Sequence, residues 1–405
     1  MNNNRSSLAY FFIFIAFLMS MRCWLGFEGR FTIYNYVFPF LMFFCAQTQK
    51  IRFEFKKRYI FFAFLIYLGK IYMNVNAKGL LDIYGLVSNF FPTLSILLML
   101  CISDEQKEEA FQYFVKWFGL IMIIGIPIYL ISLITTIPSL GIIKTHYGGD
   151  VYGADCYNYL FYLKPVTHSL IKIDRFNGPF IEPGDLGCVA SFLLFGSQFK
   201  FKEYKNLWAV LAGVIISFSL AGVVLVGMGY LITLFLQKKL SGAKLLLIIL
   251  SVLMVYCFGI YYNGGDNVIN NAIIARLQLS DETGIVGNNR TTLIKMEYFR
   301  EMFINPDPNI LLFGYDKSTI AFLNEAGLGA GYANQIINTG LIGMICLMLP
   351  YLYMTLSSNW RRYSWTFFIL FVLYMIQRTD AYWVSLLLCY VYGIVINEQK
   401  HYLYE

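Results

Sequence analysis

Long apolar runs almost free of charge, separated by short polar segments, occupy most of the chain. A helix that crosses the hydrocarbon layer of a bilayer needs about 20 apolar residues. On that scale the pattern predicts spans at 8–25, 31–47, 59–76, 82–103, 117–138, 186–200, 206–220, 221–237, 245–262, 336–357, 363–378 and 381–397. The expected fold class is an all-α integral membrane protein with about 12 transmembrane helices and two large outward-facing loops carrying short helices. The loops are the two stretches that break the rhythm, 139–185 and 263–335. They divide the chain into N-terminal membrane helices (1–138), the first loop (139–185), central membrane helices (186–262), the second loop (263–335) and C-terminal membrane helices (336–405). The first run ends in Met21-Arg22-Cys23-Trp24, which has no small-x-small cleavage pattern, so it reads as an uncleaved anchor.

Charge sets the expected orientation. No charged residue occurs from 206 to 237, a run that as one helix would reach about 48 Å. Lys200, Lys202 and Lys205 precede it, and Lys238, Lys239 and Lys244 follow it. Basic flanks on both sides predict a hairpin turning near Ser219-Leu220-Ala221-Gly222 rather than one long tilted helix. The other short basic segments (Lys50 to Arg58, Lys107 to Lys116, Arg361-Arg362 and Lys400) then fall on the same side, which the positive-inside rule makes cytoplasmic. Both termini are expected there, with 139–185 and 263–335 facing outward.

Composition agrees. Hydrophobic residues make up 58% of the chain and charged ones 14%, against about 25% charged in an ordinary soluble domain. That excludes a water-soluble globule and a disordered chain. Eight cysteines, mostly inside apolar runs, are too sparse for a disulfide scaffold. The net charge of +7 reads as membrane topology, and no nucleic-acid partner is expected.

Familiar catalytic strings are missing. There is no G-x-x-x-x-G-K-[ST], no H-E-x-x-H and no G-x-S-x-G. The histidines are only His146, His168 and His401, so no zinc spacing arises. No cofactor and no metal is expected. An enzyme of this kind draws its driving force from an activated substrate, and on the outer face of a membrane that points to a lipid-linked donor.

The first loop ends in Asp174-Arg-Phe-Asn-Gly-Pro-Phe-Ile-Glu-Pro-Gly-Asp-Leu-Gly187. Asn177-Gly178-Pro179 is turn chemistry. Asp185 is expected to cap the helix that follows. Arg175 and Glu182 are thereby placed near a helix N-terminus, which attracts anions. A guanidinium there suits phosphate oxygens. A carboxylate held before proline suits acceptance of a proton from a sugar hydroxyl. The same residues also read as an Arg–carboxylate pair that fastens a loop, and the string alone leaves both readings open. His168 is either a group titrating near neutrality or simply solvated.

In the second loop Val268 to Leu279 reads as a short helix with Ile269, Ile273, Ile274 and Leu277 on one face. It is expected on the outer leaflet with Arg276 reaching lipid phosphate. Arg290 is expected near the first turn of a following helix, where a cation conflicts with the helix dipole unless an anionic ligand is present. Arg300 either reaches the same area or pairs with Glu297 or Glu301.

Arg175-Phe-Asn-Gly-Pro-Phe-Ile-Glu-Pro183 resembles the Arg-x-x-Gly-x-Phe-x-Glu-Pro segment of O-antigen and capsule polysaccharide polymerases, a family related to O-antigen ligases. Ser217-Phe-Ser-Leu-Ala-Gly222 is similar to the Ser-rich helix that follows it there, with Leu220 where the family often has Arg. Asn334-Gln-Ile-Ile-Asn-Thr-Gly-Leu-Ile-Gly343 resembles the segment opening the span after the second large loop. Ligases commonly carry His just before that Asn, where this chain has Ala333. Arg276 and Gly287 resemble an Arg-x(10)-Gly pattern of outer loops. Phe313-Gly-Tyr-Asp316 resembles a Phe-Gly-x-Gly stretch, with Asp316 in place of the second Gly.

The resemblance implies a glycosyltransferase that polymerises undecaprenyl-pyrophosphate-linked repeat units for O-antigen or a related surface polysaccharide. Its partners would be a lipid-linked oligosaccharide donor, a carrier-linked acceptor, membrane lipids and a chain-length regulator protein. Glu182, Arg175 and Arg290 would be catalytic, with Arg276, Arg300, His168 and Asn334 binding substrate. The alternatives are an O-antigen ligase and a flippase or exporter for lipid-linked glycans.

Overall fold

The computed structural model describes residues 7–26, 30–48, 51–78, 83–144, 155–166, 175–267, 269–275, 279–280, 284–285, 292–325 and 331–402. Among them a helix overlies each apolar run: α1 (Ser7–Met19), α2 (Arg30–Gln47), α3 (Lys57–Lys78), α4 (Ile83–Leu100), α5 (Asp104–Ile134), α6 (Pro183–Gly196), α7 (Leu207–Ile216), α8 (Leu220–Leu236) and α9 (Gly242–Tyr261). After these come α10 (Leu293–Ile304), α11 (Pro308–Phe313), α12 (Lys317–Glu325), α13 (Tyr332–Leu356), α14 (Arg361–Gln377) and α15 (Val384–Tyr402). The protein is thus all-helical in architecture. Five helices among the described residues, within α3, α4, α5, α9 to Gly265, and α13, are long and apolar enough to cross a membrane.

The first long segment departs from the expectation of short helices. Its described part is a three-stranded antiparallel sheet of β1 (Ile142–Ile143), β2 (Cys156–Asn158) and β3 (Leu163–Pro165). Tyr157 pairs with Ile142 on one side and Lys164 on the other. The second segment carries α10 to α12, as expected, together with β4 (Leu279–Ser280) paired to β5 (Gly284–Ile285). In place of a regular helix from Val268, residues Asn270–Ile274 form a wide π-type turn.

The chain divides into two compact units. One comprises residues 1–21, 25–114 and 290–405; the other comprises 22–24 and 115–289. In the first, α13 packs along α3 and α14, α4 packs against α2 and α3, and α1 packs against α2 and α15. Its core is aromatic: Tyr351 stacks on Phe371 with centroids 3.7 Å apart, and Tyr390 meets both rings. At one end of this unit the basic segments meet. Lys107 Nζ donates to Asp104 Oδ1 at 2.8 Å, and Lys56 Nζ donates to Oδ2 of the same carboxylate. Arg58 Nη1 donates to Glu398 Oε2 at 2.9 Å, whose Oε1 accepts from Asn359 N at 3.1 Å. Lys107 is fully buried, so Asp104 is its counter-charge.

In the second unit α6 packs on α7 and α8. Gly187 of α6 lies against Gly222 of α8, and Phe195 lies against Gly229. The two helices therefore run parallel, and α7 between them carries the chain back. The expected turn exists, two residues early. Phe218 has φ +46°, and Ser219 caps α8 by accepting from Gly222 N at 3.3 Å. A Cβ on Gly222 would stand 2.6 Å from Gly187 Cα, so this crossing requires glycine.

Candidate functional site

The segment 175–183 is a built structure. Phe176 is buried between Tyr129 and Tyr162, with ring centroids 5.6 and 5.8 Å away. Gly178 takes the left-handed conformation (φ +58°) that the Asn-Gly-Pro turn needs. Its carbonyl accepts from Leu163 N of β3 at 2.9 Å, and Asn177 Nδ2 closes the turn onto Ile181 O at 2.9 Å. Residues 22–24 run antiparallel beside it: Ile181 N donates to Arg22 O and Trp24 N to Pro179 O. The small sheet and the 22–24 strip thus clamp the motif from two sides.

Glu182, not Asp185, is the N-cap of α6. Proline at the first helical position has its φ preset for helix, which starts the helix at Pro183 and makes Asp185 the third residue of its first turn. There the Asp185 side chain is fully buried, and a carboxylate suits the positive end of the helix dipole. The cation on Glu182 is one the sequence places elsewhere. Arg22 Nη1 lies 3.0 Å from Glu182 Oε1, both side chains being about a quarter exposed. Arg175, half-buried, opens the segment. This unit therefore brings Arg22 onto Glu182, with Arg175 at the start of the same segment and Asp185 in the first turn of α6.

In the first unit the structure joins the two remaining motifs. Helix α13 is broken at Gly340 (φ +65°, ψ −172°). The carbonyls around the break are taken up by donors from other elements: Ile337 O by Tyr315 N at 2.9 Å, Asn338 O by Asn76 Nδ2 at 2.7 Å, and Thr339 O by Tyr72 OH at 2.8 Å. Gly314 (φ +87°) ends α11 against this break, where a Cβ would stand 2.7 Å from Ile337 O. Phe313-Gly314-Tyr315-Asp316 and Asn334–Gly343 are therefore one structure. Asp316 caps α12, accepting from Ser318 N at 2.9 Å and from Thr319 Oγ1 at 2.7 Å. The Ser318 hydroxyl, and after it the Thr319 hydroxyl, donate to its carboxyl and hold it well below the usual range.

Asn334 is half-buried in the first turn of α13, and its Oδ1 accepts from Lys295 Nζ at 3.2 Å. Lys295 is 1% exposed and also donates to Asn324 Oδ1 at 3.3 Å. Burial pushes its ammonium pKa down. No sequence argument singled Lys295 out. Its one signal is position, the third residue after the cap Thr292, where a cation opposes the helix dipole. Below it Met302, Leu323, Ile336 and Ile337 form the core that joins α10, α12 and α13.

Arg300 is exposed on α10 and forms no ion pair with Glu297 or Glu301 among the described residues. A surface pair there would gain little over hydration. Glu301 accepts instead from Asn305 Nδ2 at 2.6 Å. A groove of about 450 Å³ opens beside it, lined by Glu297, Tyr298, Glu301, Asn305 and Tyr315 among others. Helix α10 begins at Leu293, with Thr292 as its cap. Arg290, Arg276 and His168 lie outside the described residues. No protein-family model, no curated protein and no solved structure matches this chain.

Proposed function

We propose that the protein is a membrane-embedded polymerase of undecaprenyl-pyrophosphate-linked glycan repeat units, with twelve spans, both termini in the cytoplasm and its two long segments on the outer face of a bacterial inner membrane. One observation carries the reading. Within each unit, the segment bearing the candidate residues lies at the end away from the basic cluster. In the first unit α3 has Arg58 at its basic end and Asn76, bonded to Asn338, at the other. The distance between them along the helix is about 27 Å, close to the hydrocarbon thickness. In the second unit, Lys116 O accepts from Asn206 Nδ2 at the basic end of α5, whereas Phe176 packs on Tyr129, three to four turns further on. The positive-inside rule then directs the motif segments outward.

On that face, Arg175 binds the donor diphosphate and stabilises its charge as it leaves. Glu182 orients the acceptor hydroxyl and takes its proton. Arg22 fixes the carboxylate's position, which contributes to holding donor and acceptor in line. The acceptor oxygen bonds to the anomeric carbon of the growing glycan. The bond from that carbon to the diphosphate oxygen breaks, and the carrier diphosphate leaves with the electron pair. The diphosphate is a good leaving group, so no strong acid is needed.

Analysis of cell-envelope glycolipids from cells lacking this chain tests the reading. A polymerase defect leaves single repeat units on the terminal acceptor. A ligase defect leaves none there, and an exporter defect traps units facing the cytoplasm. Single units support the proposal, and either other pattern overturns it.

A further inference from the structure

Lys295 is an ammonium buried to 1% exposure in the first turn of α10, a helix of 12 residues. Two electrostatic terms oppose it: loss of hydration and the positive end of the helix dipole. Buried lysines are ordinarily offset by a carboxylate. Lys107 of this same chain shows that solution, fully buried with Asp104 at 2.8 Å. Lys295 has no carboxylate within ion-pair distance among the described residues. Its hydrogen-bond partners are two neutral amide oxygens, Asn324 Oδ1 and Asn334 Oδ1.

An ammonium carries three donors, and these two bonds use two of them. Each asparagine that turns its oxygen to the ammonium presents its NH2 group on the other arm of the same planar amide. The cluster is therefore rich in donors, positively charged and supplied with no negative charge of its own. Asn324 is exposed while Lys295 is not, so the cluster is reached from solvent past Asn324. The polar cluster sits on the apolar core of Leu323 and Ile336, which fixes the three chain segments that carry it.

We propose that Lys295, Asn324 and Asn334 form a binding site for a phosphate oxyanion. The ligand chemistry is a phosphate or diphosphate group, carried either by a soluble or lipid-linked diphosphate or by the headgroup of an anionic phospholipid. The proposal rests on a buried cation that no carboxylate offsets among the described residues, and it holds independently of the polymerase reading.

The full-length protein in nanodiscs of zwitterionic lipid, heated with and without inorganic pyrophosphate, supplies the test. Pyrophosphate is expected to raise the unfolding temperature of the wild-type protein. In Lys295→Met the unliganded protein is expected to be as stable as wild type or more so, because a buried charge is gone, and the apparent pyrophosphate affinity is expected to fall at least ten-fold. Asn334→Asp supplies a carboxylate in place and is expected to stabilise the unliganded protein and to lower the apparent pyrophosphate affinity as Lys295→Met does. It also serves if the Met variant does not fold. Repeating the measurement in phosphatidylglycerol nanodiscs separates the sources. Stabilisation by that lipid alone assigns the site to a headgroup, and stabilisation by pyrophosphate in zwitterionic lipid assigns it to a diphosphate ligand. Absence of any shift in either lipid overturns the proposal, as does a wild-type apparent affinity in both variants.

Discussion

Replacing Gly340 by alanine probes the broken helix on which the second candidate region is built. Gly340 sits at φ +65°, ψ −172°, a combination that glycine adopts freely and other residues hold at a cost of about 1–3 kcal/mol. The new Cβ would also overlap Leu312 O and Phe313 N. These are backbone atoms and cannot rotate aside, so α11 must shift, adding about 1–3 kcal/mol of overpacking. That shift strains the bond from Tyr315 N to Ile337 O, worth about 0.5–1.5 kcal/mol. The expected loss is about 2.5–7.5 kcal/mol. Gly227, within α8, supplies the control: a Cβ there meets nothing within 4 Å. Alanine at that position is expected to be neutral or to stabilise by up to about 1 kcal/mol. Heating the purified protein with a thiol-reactive fluorophore reads unfolding through the buried cysteines Cys45, Cys101 and Cys389. A large fall in unfolding temperature for Gly340→Ala and none for Gly227→Ala is expected. Equal behaviour of the two variants would refute the reasoning.

Asp104→Asn is expected to cost about 3–5 kcal/mol in the same assay, because it leaves Lys107 buried without its counter-charge. Lys56→Met, at the 41% exposed side chain on the same carboxylate, is expected to cost less than about 1 kcal/mol; similar losses for both would contradict the assignment. Lys295 predicts a pH effect. Its folded-state pKa lies below the ordinary 10.5, so between the two values the unfolded chain binds more protons and stability rises with pH. Wild type is expected to gain on Lys295→Met as pH climbs toward 10.5, and a stability difference independent of pH would count against an uncompensated buried ammonium.

The helices were legible because a long apolar run free of charge has few outcomes other than a buried or membrane helix. The turn inside 206–237 followed from its basic flanks, and its placement at Ser217–Ser219 follows from a serine cap. The loop ends were less legible. Pro183 moved the start of α6 ahead of Asp185, a local effect that could have been read from proline's preference for the first helical position. The Arg22–Glu182 pair joins residues 160 positions apart, and nothing local to either announces the other. Lys295 is buried only because α10 docks on α12 and α13, so its isolation from carboxylates among the described residues is a tertiary fact. The break at Gly340 depends on Tyr72 and Asn76 of α3 and on Tyr315 after α11 arriving from elsewhere in the chain. Asn334 was reached through resemblance, and its partner Lys295 only through the fold.

The most direct measurement is polymer formation by the purified chain in proteoliposomes supplied with a diphosphate-linked repeat unit. The account predicts a ladder of glycans longer than one unit, with one carrier diphosphate released per linkage. It predicts that Glu182→Gln and Arg175→Lys abolish the ladder while the protein inserts and unfolds as wild type does. Long glycan from both variants would contradict it, as would no ladder from folded wild-type protein.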